Sequence, residues 1–196
     1  MNPLKSVTGT IIAGFVLAAI ILAALTAQSG FNLNLWSLFI WLHVVVGVLW
    51  IGLLYYFNFV QVPGVGQALA DKEPGPAAIN KYIAPRALLW FRWAAVATWF
   101  TGVAALESMG IGFMQTFLFQ NDATILAIGA WLGTIMLINV WVFIWPNQKK
   151  ILGMKEASAD EIVKAKGVAL MASRTNTLLS IPMLMCMVGH AHGLPM

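Results

Sequence analysis

The sequence predicts an all-α integral membrane protein, built as a bundle of five transmembrane helices. Of its 196 residues, 60% are hydrophobic and 9% are charged, whereas soluble domains carry about 25% charged residues. The stretch from Leu35 to Pro63 contains no formal charge and is long enough to cross a hydrocarbon layer of ~30 Å at ~1.5 Å per residue. The isoelectric point is near 9.4, but the basic residues lie between apolar spans, so no nucleic-acid partner is predicted.

The first two helices are predicted over about residues 6–27 and 35–63. A charged start at Lys5 followed by an apolar run is also the form of a signal peptide. The run is long for a signal peptide, so we expect a retained first helix. Pro63 and the glycines that follow it are expected to end the second helix.

The remaining three helices are predicted over about residues 85–108, 122–145 and 158–190. A loop rich in proline and glycine precedes the third helix, and Pro146 is expected to stop the fourth. Ser158 and Glu161 have the spacing of a capping box. The fifth helix is therefore expected to begin there and to enter the membrane from about residue 174.

The distribution of positive charge predicts the topology. All 11 Lys and Arg residues fall at the N-terminus, between the second and third helices with the start of the third, or between the fourth and fifth with the start of the fifth. With five spans, these places lie on one side of the membrane. The positive-inside rule then places the N-terminus in the cytoplasm and the C-terminus in the periplasm.

Two histidines are predicted to lie at matching depth and to hold a haem. His43 lies about 12 Å below the outer boundary of the second span, and His190 lies about 24 Å above the inner boundary of the fifth. Both therefore fall in the outer leaflet, where two imidazoles from facing helices are the axial ligands of a low-spin b-type haem. Gly47 would leave space for the macrocycle edge, and Met187 offers a soft, adaptable contact for the porphyrin face.

Other interpretations of these histidines stay open. His43 can instead make a helix-to-helix hydrogen bond. His192 points to the opposite side of its helix from His190 and is the weaker candidate ligand. The last helix also has the residues of a copper site, since imidazole and thioether groups suit Cu(I). These residues are His190, His192, Met183, Met185, Met187 and Met196.

A second group of polar residues is expected toward the cytoplasmic boundary. Amide and guanidinium groups around one cavity can bind a planar heterocycle, a quinone carbonyl or haem propionates. For each residue taken alone, interhelical hydrogen bonding or snorkelling to the headgroups is the simpler interpretation. The candidates are Asn58, Gln61, Arg92, Asn139, Arg174 and Asn176.

Three stretches resemble the membrane domain of the bacterial membrane-bound urate oxidases, the cytochrome c-linked urate hydroxylase type. They are WLHVVVGVLWIGLLYYFNFVQVP, NVWVFIWPNQKKI and SRTNTLLSIPML. In that family a cytochrome c domain typically follows, so the resemblance implies a stand-alone form without it. It also implies residence in the bacterial inner membrane and urate oxidation with a cytochrome as acceptor. The second helix is distantly similar to haem-binding proteins of the protoporphyrinogen oxidase type.

Three functions are therefore expected to compete. The first is a membrane b-haem redox protein that exchanges electrons with a periplasmic cytochrome c or a partner subunit. The second is a urate-oxidising enzyme whose pocket includes Asn58, Asn139 and Arg174. The third is a cofactor-free structural subunit of a larger membrane complex, with Gly102, Gly129 and Gly133 at close helix contacts.

Overall fold

The structure, a computed structural model, describes residues 2–27, 30, 32–120 and 123–195. Within these residues all regular structure is helical. The chain divides into two compact units, Met1–Asn34 and Leu35–Met196. Among the described residues, the first unit contains a short 3₁₀ turn, Pro3–Lys5, and one α-helix, α1, Val7–Thr26, close to the predicted bounds. The Ser6 hydroxyl begins it by accepting the backbone N–H of Gly9 at 3.1 Å.

The second unit contains four long helices and one short one. They are α2, Leu35–Asp71; α3, Ile79–Ser108; α4, Phe113–Phe117; α5, Thr124–Ile151; and α6, Ala159–His192. The predicted fourth span is thus α5, and the predicted fifth span is α6. The residue predicted to begin the fourth span, Asp122, lies outside the described residues.

Four of these helices are long and apolar enough to cross a membrane: α1, α2, α3 and α5. Helix α6 has the length but does not reach the same hydropathy within the described residues, because its first half carries charges such as Lys164 and Lys166 and its second half carries amides and hydroxyls. A membrane protein with at least four candidate spans is therefore supported. The fifth crossing and the sidedness stay predictions.

Three helices are longer than the sequence predicted: α2 and α5 continue past Pro63 and Pro146, which were expected to end them, and α3 begins before Pro85, where it was expected to start. A π-helical turn lies just before Pro63, Pro85 and Pro146, over Phe57–Gln61, Ile79–Ile83 and Val140–Ile144 respectively. In each, the residue before the proline donates its N–H five residues back, as Val62 does to the Phe57 carbonyl. This wider turn re-pairs backbone groups that the missing proline N–H would leave without partners.

The core of the second unit forms where α2 and α3 pack together. Trp50 and Leu54 of α2 are 2% and 0% exposed, and Phe91 of α3 is 1% exposed. The Phe57 and Phe91 rings meet edge to face, with centroids 5.4 Å apart. Helices α5 and α6 add Met136 and Met183 to the same cluster. In lipid, such contacts stabilise the bundle by close packing rather than by exclusion of water.

The polar start of α6 is fixed as predicted. The Ser158 hydroxyl accepts the N–H of Glu161, and the Glu161 carboxylate accepts the N–H of Ser158, which completes the capping box. Lys150 at the end of α5 forms an ion pair with Glu161 at 3.1 Å. The Ser158 N–H and the Lys150 ammonium hold the pKa of the Glu161 carboxyl below its usual value. These contacts join the ends of α5 and α6.

Candidate functional site

His43 is anchored to α3 through its Nδ1 atom. The ring is half-buried, and Nδ1 lies 2.8 Å from the backbone carbonyl oxygen of Thr98. A carbonyl oxygen has no hydrogen to give, so Nδ1 must carry the proton and donate it. In the neutral imidazole this leaves Nε2 with its lone pair, which is the form that binds a metal.

Glycines surround His43 on both helices. A Cβ atom at Gly102 of α3 would lie 2.9 Å from Cε1 of His43, so the ring lies directly against that glycine. Gly47, one turn after His43, lies against α3 as well, where a Cβ atom would be 3.7 Å from the Thr98 methyl group. The space beside Gly47 was predicted to accommodate the edge of a macrocycle. In the structure, this space lies next to Thr98.

Two hydrogen bonds fix α6 against α2. The hydroxyl groups of Tyr55 and Ser180 are 3.0 Å apart, and Asn58 donates its amide to the Ser173 hydroxyl at 2.8 Å. From the first bond to the second, the residue number increases along α2 and decreases along α6. The two helices are therefore antiparallel. These bonds set the register of α6 within the bundle.

The same register gives His43 and His190 nearly equal heights. His43 precedes Tyr55 by 12 residues and His190 follows Ser180 by 10, about 18 Å and 15 Å at ~1.5 Å per residue. Counted from Asn58 and Ser173, the separations are 15 and 17 residues, about 23 Å and 26 Å. Measured from the first bond, His43 lies about 3 Å higher than His190, and measured from the second it lies about 3 Å lower. On average the two histidines are therefore at nearly the same height.

His190 lies on the packed side of α6. It follows Met183 by seven residues, which returns it to nearly the same face at about 100° per residue, and Met183 is 6% exposed. His190 is half-buried, whereas His192 is exposed. Met187 lies close to α5, because a Cβ atom at Gly129 would be 3.2 Å from its terminal methyl group.

The predicted polar group is brought together in part, and its amides bind one another and the backbone. Asn139 donates its amide to the Asn176 side-chain oxygen at 2.7 Å and to the Ala172 carbonyl at 2.8 Å. Asn176 is fully buried and donates to the Met136 carbonyl at 3.0 Å. Asn58 donates to Leu54 and Ser173. These amides therefore join helices, as in the simpler interpretation.

The other three candidates lie in different surroundings. The Arg92 guanidinium of α3 lies 3.9 Å from the centroid of the Trp145 ring of α5, a cation–π contact. The Gln61 side-chain oxygen is buried without a hydrogen-bond partner among the described residues. Arg174 is exposed. These three do not add charged or polar donors to the Asn139–Asn176 pair.

For metals, the described part of the chain contains no group of three or more His, Cys, Asp or Glu side chains. A haem with two axial imidazoles does not require such a group. Of the copper candidates, Met196 lies outside the described residues.

The hydroxyl groups by which α6 binds α2 were not predicted from the sequence. Ser173 and Ser180 bind α2, while Asn176 between them binds α5. Their spacing of three and four residues was the available signal, because it places all three along one side of a helix. Thr98 had no such signal, since His43 binds its backbone carbonyl.

Asn176 gives a direct test of this register. Replacing it with leucine should lower the free energy of unfolding by about 1–2 kcal/mol, since two interhelical hydrogen bonds are lost. Reversible denaturation in mixed detergent micelles measures this. Asn147→Leu is the matched control, because Asn147 binds only the carbonyl of Phe143 in its own helix. Equal stabilities of the two variants would contradict the assigned role of Asn176.

Comparison with known proteins gives one family. Residues 105–195 match the family described as urate oxidase N-terminal, a little under half of the chain. No curated protein and no solved structure gave a significant match. The matched stretch contains α5, α6 and His190, together with two of the three quoted motifs. Over residues 105–195 the chain is therefore related to the urate oxidase N-terminal family, as the resemblance predicted.

Proposed function

We propose that this protein is a membrane-embedded b-type haem redox protein related to the urate oxidase membrane domain. His43 and His190 would hold the haem iron, and a periplasmic cytochrome c or a partner subunit would exchange electrons with the haem. The single observation that carries the proposal is the 2.8 Å contact between His43 Nδ1 and the Thr98 carbonyl.

The residues present fit a haem ligand at His43. Histidines that bind metals almost always donate their second ring N–H to a carbonyl or carboxylate, which fixes the tautomer and the ring orientation. His43 makes this bond to Thr98. Seven residues further along the same face of α2, the indole Nε1 of Trp50 is buried without a partner among the described residues. A buried donor of this kind suits an acceptor that the protein does not supply.

The register of α6 supports His190 as the second ligand. The Tyr55–Ser180 and Asn58–Ser173 bonds give the two imidazoles nearly equal heights, and His190 shares the packed face of Met183. The haem, when bound, would supply one-electron redox chemistry, with a potential set by its ligands and by the surrounding polarity. The protein would hold both rings and exclude lipid from between them.

The proposed topology gives this site an electron-transfer partner. With the N-terminus in the cytoplasm and the C-terminus in the periplasm of a bacterial inner membrane, both histidines lie in the outer leaflet. A soluble cytochrome c in the periplasm can approach that side. The basic residues between α2 and α3, and between α5 and α6, would then face the cytoplasm.

Urate oxidation by the chain itself is the second candidate, favoured by the family match over residues 105–195. Urate-dependent reduction of the haem, monitored in its absorption bands, separates an enzyme from an electron carrier. Purified protein without haem bands would instead support the third candidate, a structural subunit. For that candidate, three glycines were predicted at close helix contacts. Gly102 and Gly129 make such contacts within this chain, whereas a Cβ atom at Gly133 meets nothing within 4 Å.

His43→Ala and His190→Ala should each abolish haem retention, whereas His192→Ala should retain it. The first two changes would remove a residue that holds the haem iron, while His192 is exposed on the opposite side of α6. Haem content per protein, measured by the pyridine haemochrome assay after purification, gives the result. Full haem occupancy in the His43 or His190 variant would contradict the proposed ligand pair.

Gly102→Ala should weaken haem binding about tenfold without unfolding the bundle. The new methyl group would lie 2.9 Å from His43 Cε1, so the imidazole must move, and changes around a metal ligand typically cost 10–100-fold in affinity. Haem titration and the redox potential measure the effect. The control is Gly133→Ala, which meets nothing within 4 Å. Identical titrations and potentials for both variants would exclude a ligand ring against Gly102.

A further inference from the structure

A groove between α5 and α6 is separate from the histidines. It has a volume of about 610 Å³, within the range of ~300–1,000 Å³ that is usual for small-molecule sites. Ile138 and Phe143 of α5 and Met171 of α6 form much of its apolar wall. These three side chains are half to two-thirds exposed, at 50%, 49% and 62%. The groove is therefore open at the side of the bundle.

One polar side chain in this wall has a defined orientation. The Asn139 amide nitrogen binds the Ala172 carbonyl and the Asn176 side-chain oxygen. A backbone carbonyl only accepts hydrogen bonds, so the nitrogen must face α6. The Asn139 side-chain oxygen receives no hydrogen bond from the described residues, and it is not among their buried unpartnered atoms. Since Asn139 lines the groove, this oxygen is an acceptor open to it.

The second polar side chain in the wall also offers an acceptor. Thr175 gives its hydroxyl hydrogen to the Met171 carbonyl at 3.0 Å, which leaves the oxygen lone pairs available. The lining contains no ionisable side chain. The groove therefore combines an apolar surface with hydrogen-bond acceptors that lack a matching donor.

We infer that this groove binds a reduced isoprenoid quinone. The hydroquinone ring has two hydroxyl donors for the Asn139 and Thr175 oxygens, and its apolar tail would lie along Ile138, Phe143 and Met171. The acyl and ester part of a phospholipid fits less well, because ester groups are acceptors only. An anion such as urate fits less well too, because no cation or free donor lines the groove. This binding site does not depend on the haem.

Gly167 provides a way to fill the groove. It lies in the lining of the groove on α6, and a Cβ atom there meets nothing within 4 Å. A leucine at this position would extend into the groove without displacing a neighbour. Gly52 on α2 is also exposed and meets nothing within 4 Å, and it lies outside the groove lining.

The experiment measures binding of decyl-hydroquinone, held reduced with ascorbate under argon, to the full chain in phosphatidylcholine nanodiscs. Empty nanodiscs give the background. The dimethyl ether of the same compound keeps the ring and tail but has no O–H donor. We expect the hydroquinone to bind about tenfold more tightly than the ether, as for the loss of one to two neutral hydrogen bonds. Thr175→Val should reduce this preference, because valine has no acceptor.

Gly167→Leu should remove saturable binding, and Gly52→Leu should leave it unchanged. Equal affinity for the hydroquinone and its ether would overturn the inference and indicate a groove for lipid acyl chains. Unchanged binding in Gly167→Leu would overturn it as well. A dimer in native mass spectrometry that covers the groove and binds no hydroquinone would identify a second copy of the chain as the occupant.

Discussion

The structure depends on hydrogen bonds that pair the polar side chains of α6 inside the bundle. A hydrocarbon layer offers no partner to an amide or a hydroxyl, so each such group must find one within the protein. Ser173 and Ser180 find theirs on α2, and Asn176 finds its partners on α5. Helix α6, the least apolar long helix, is therefore hydrogen-bonded to both α2 and α5. Its register then sets the height of His190 relative to His43.

The helices themselves were predictable from hydrophobic length, but the C-terminal ends of α2 and α5 and the start of α3 were not. Proline is a reliable stop in water, where a broken backbone pair can bind solvent. Here the chain widens into a π-helical turn before Pro63, Pro85 and Pro146 and then continues. Local sequence does not distinguish these outcomes, because the choice depends on packing around the turn. Phe57 and Ile144, for example, lie in two of these turns and are buried in the core.

The similar heights of His43 and His190 were predictable, and the contacts of His43 were less so. Counting residues from the ends of the spans gave His43 and His190 similar depths, because helical rise is nearly constant. The partner of His43 could not be found this way, since every residue has a backbone carbonyl and nothing in the sequence marks that of Thr98. The polar group near Asn139 was recognised from its amides. The pairing of these amides could be found only from the three-dimensional structure. There the Asn139 amide nitrogen donates to α6, and the Asn139 side-chain oxygen remains an available acceptor.

The family match covers only one of the two proposed haem ligands. The matched stretch, residues 105–195, includes His190 and both helices of the groove. His43 and its partner Thr98 lie before it, on α2 and α3. Relationship to the urate oxidase N-terminal family therefore cannot account for His43 by itself. The Tyr55–Ser180 and Asn58–Ser173 bonds connect the matched and unmatched parts. If the two parts act together at one iron, these bonds bring their histidines to a common height.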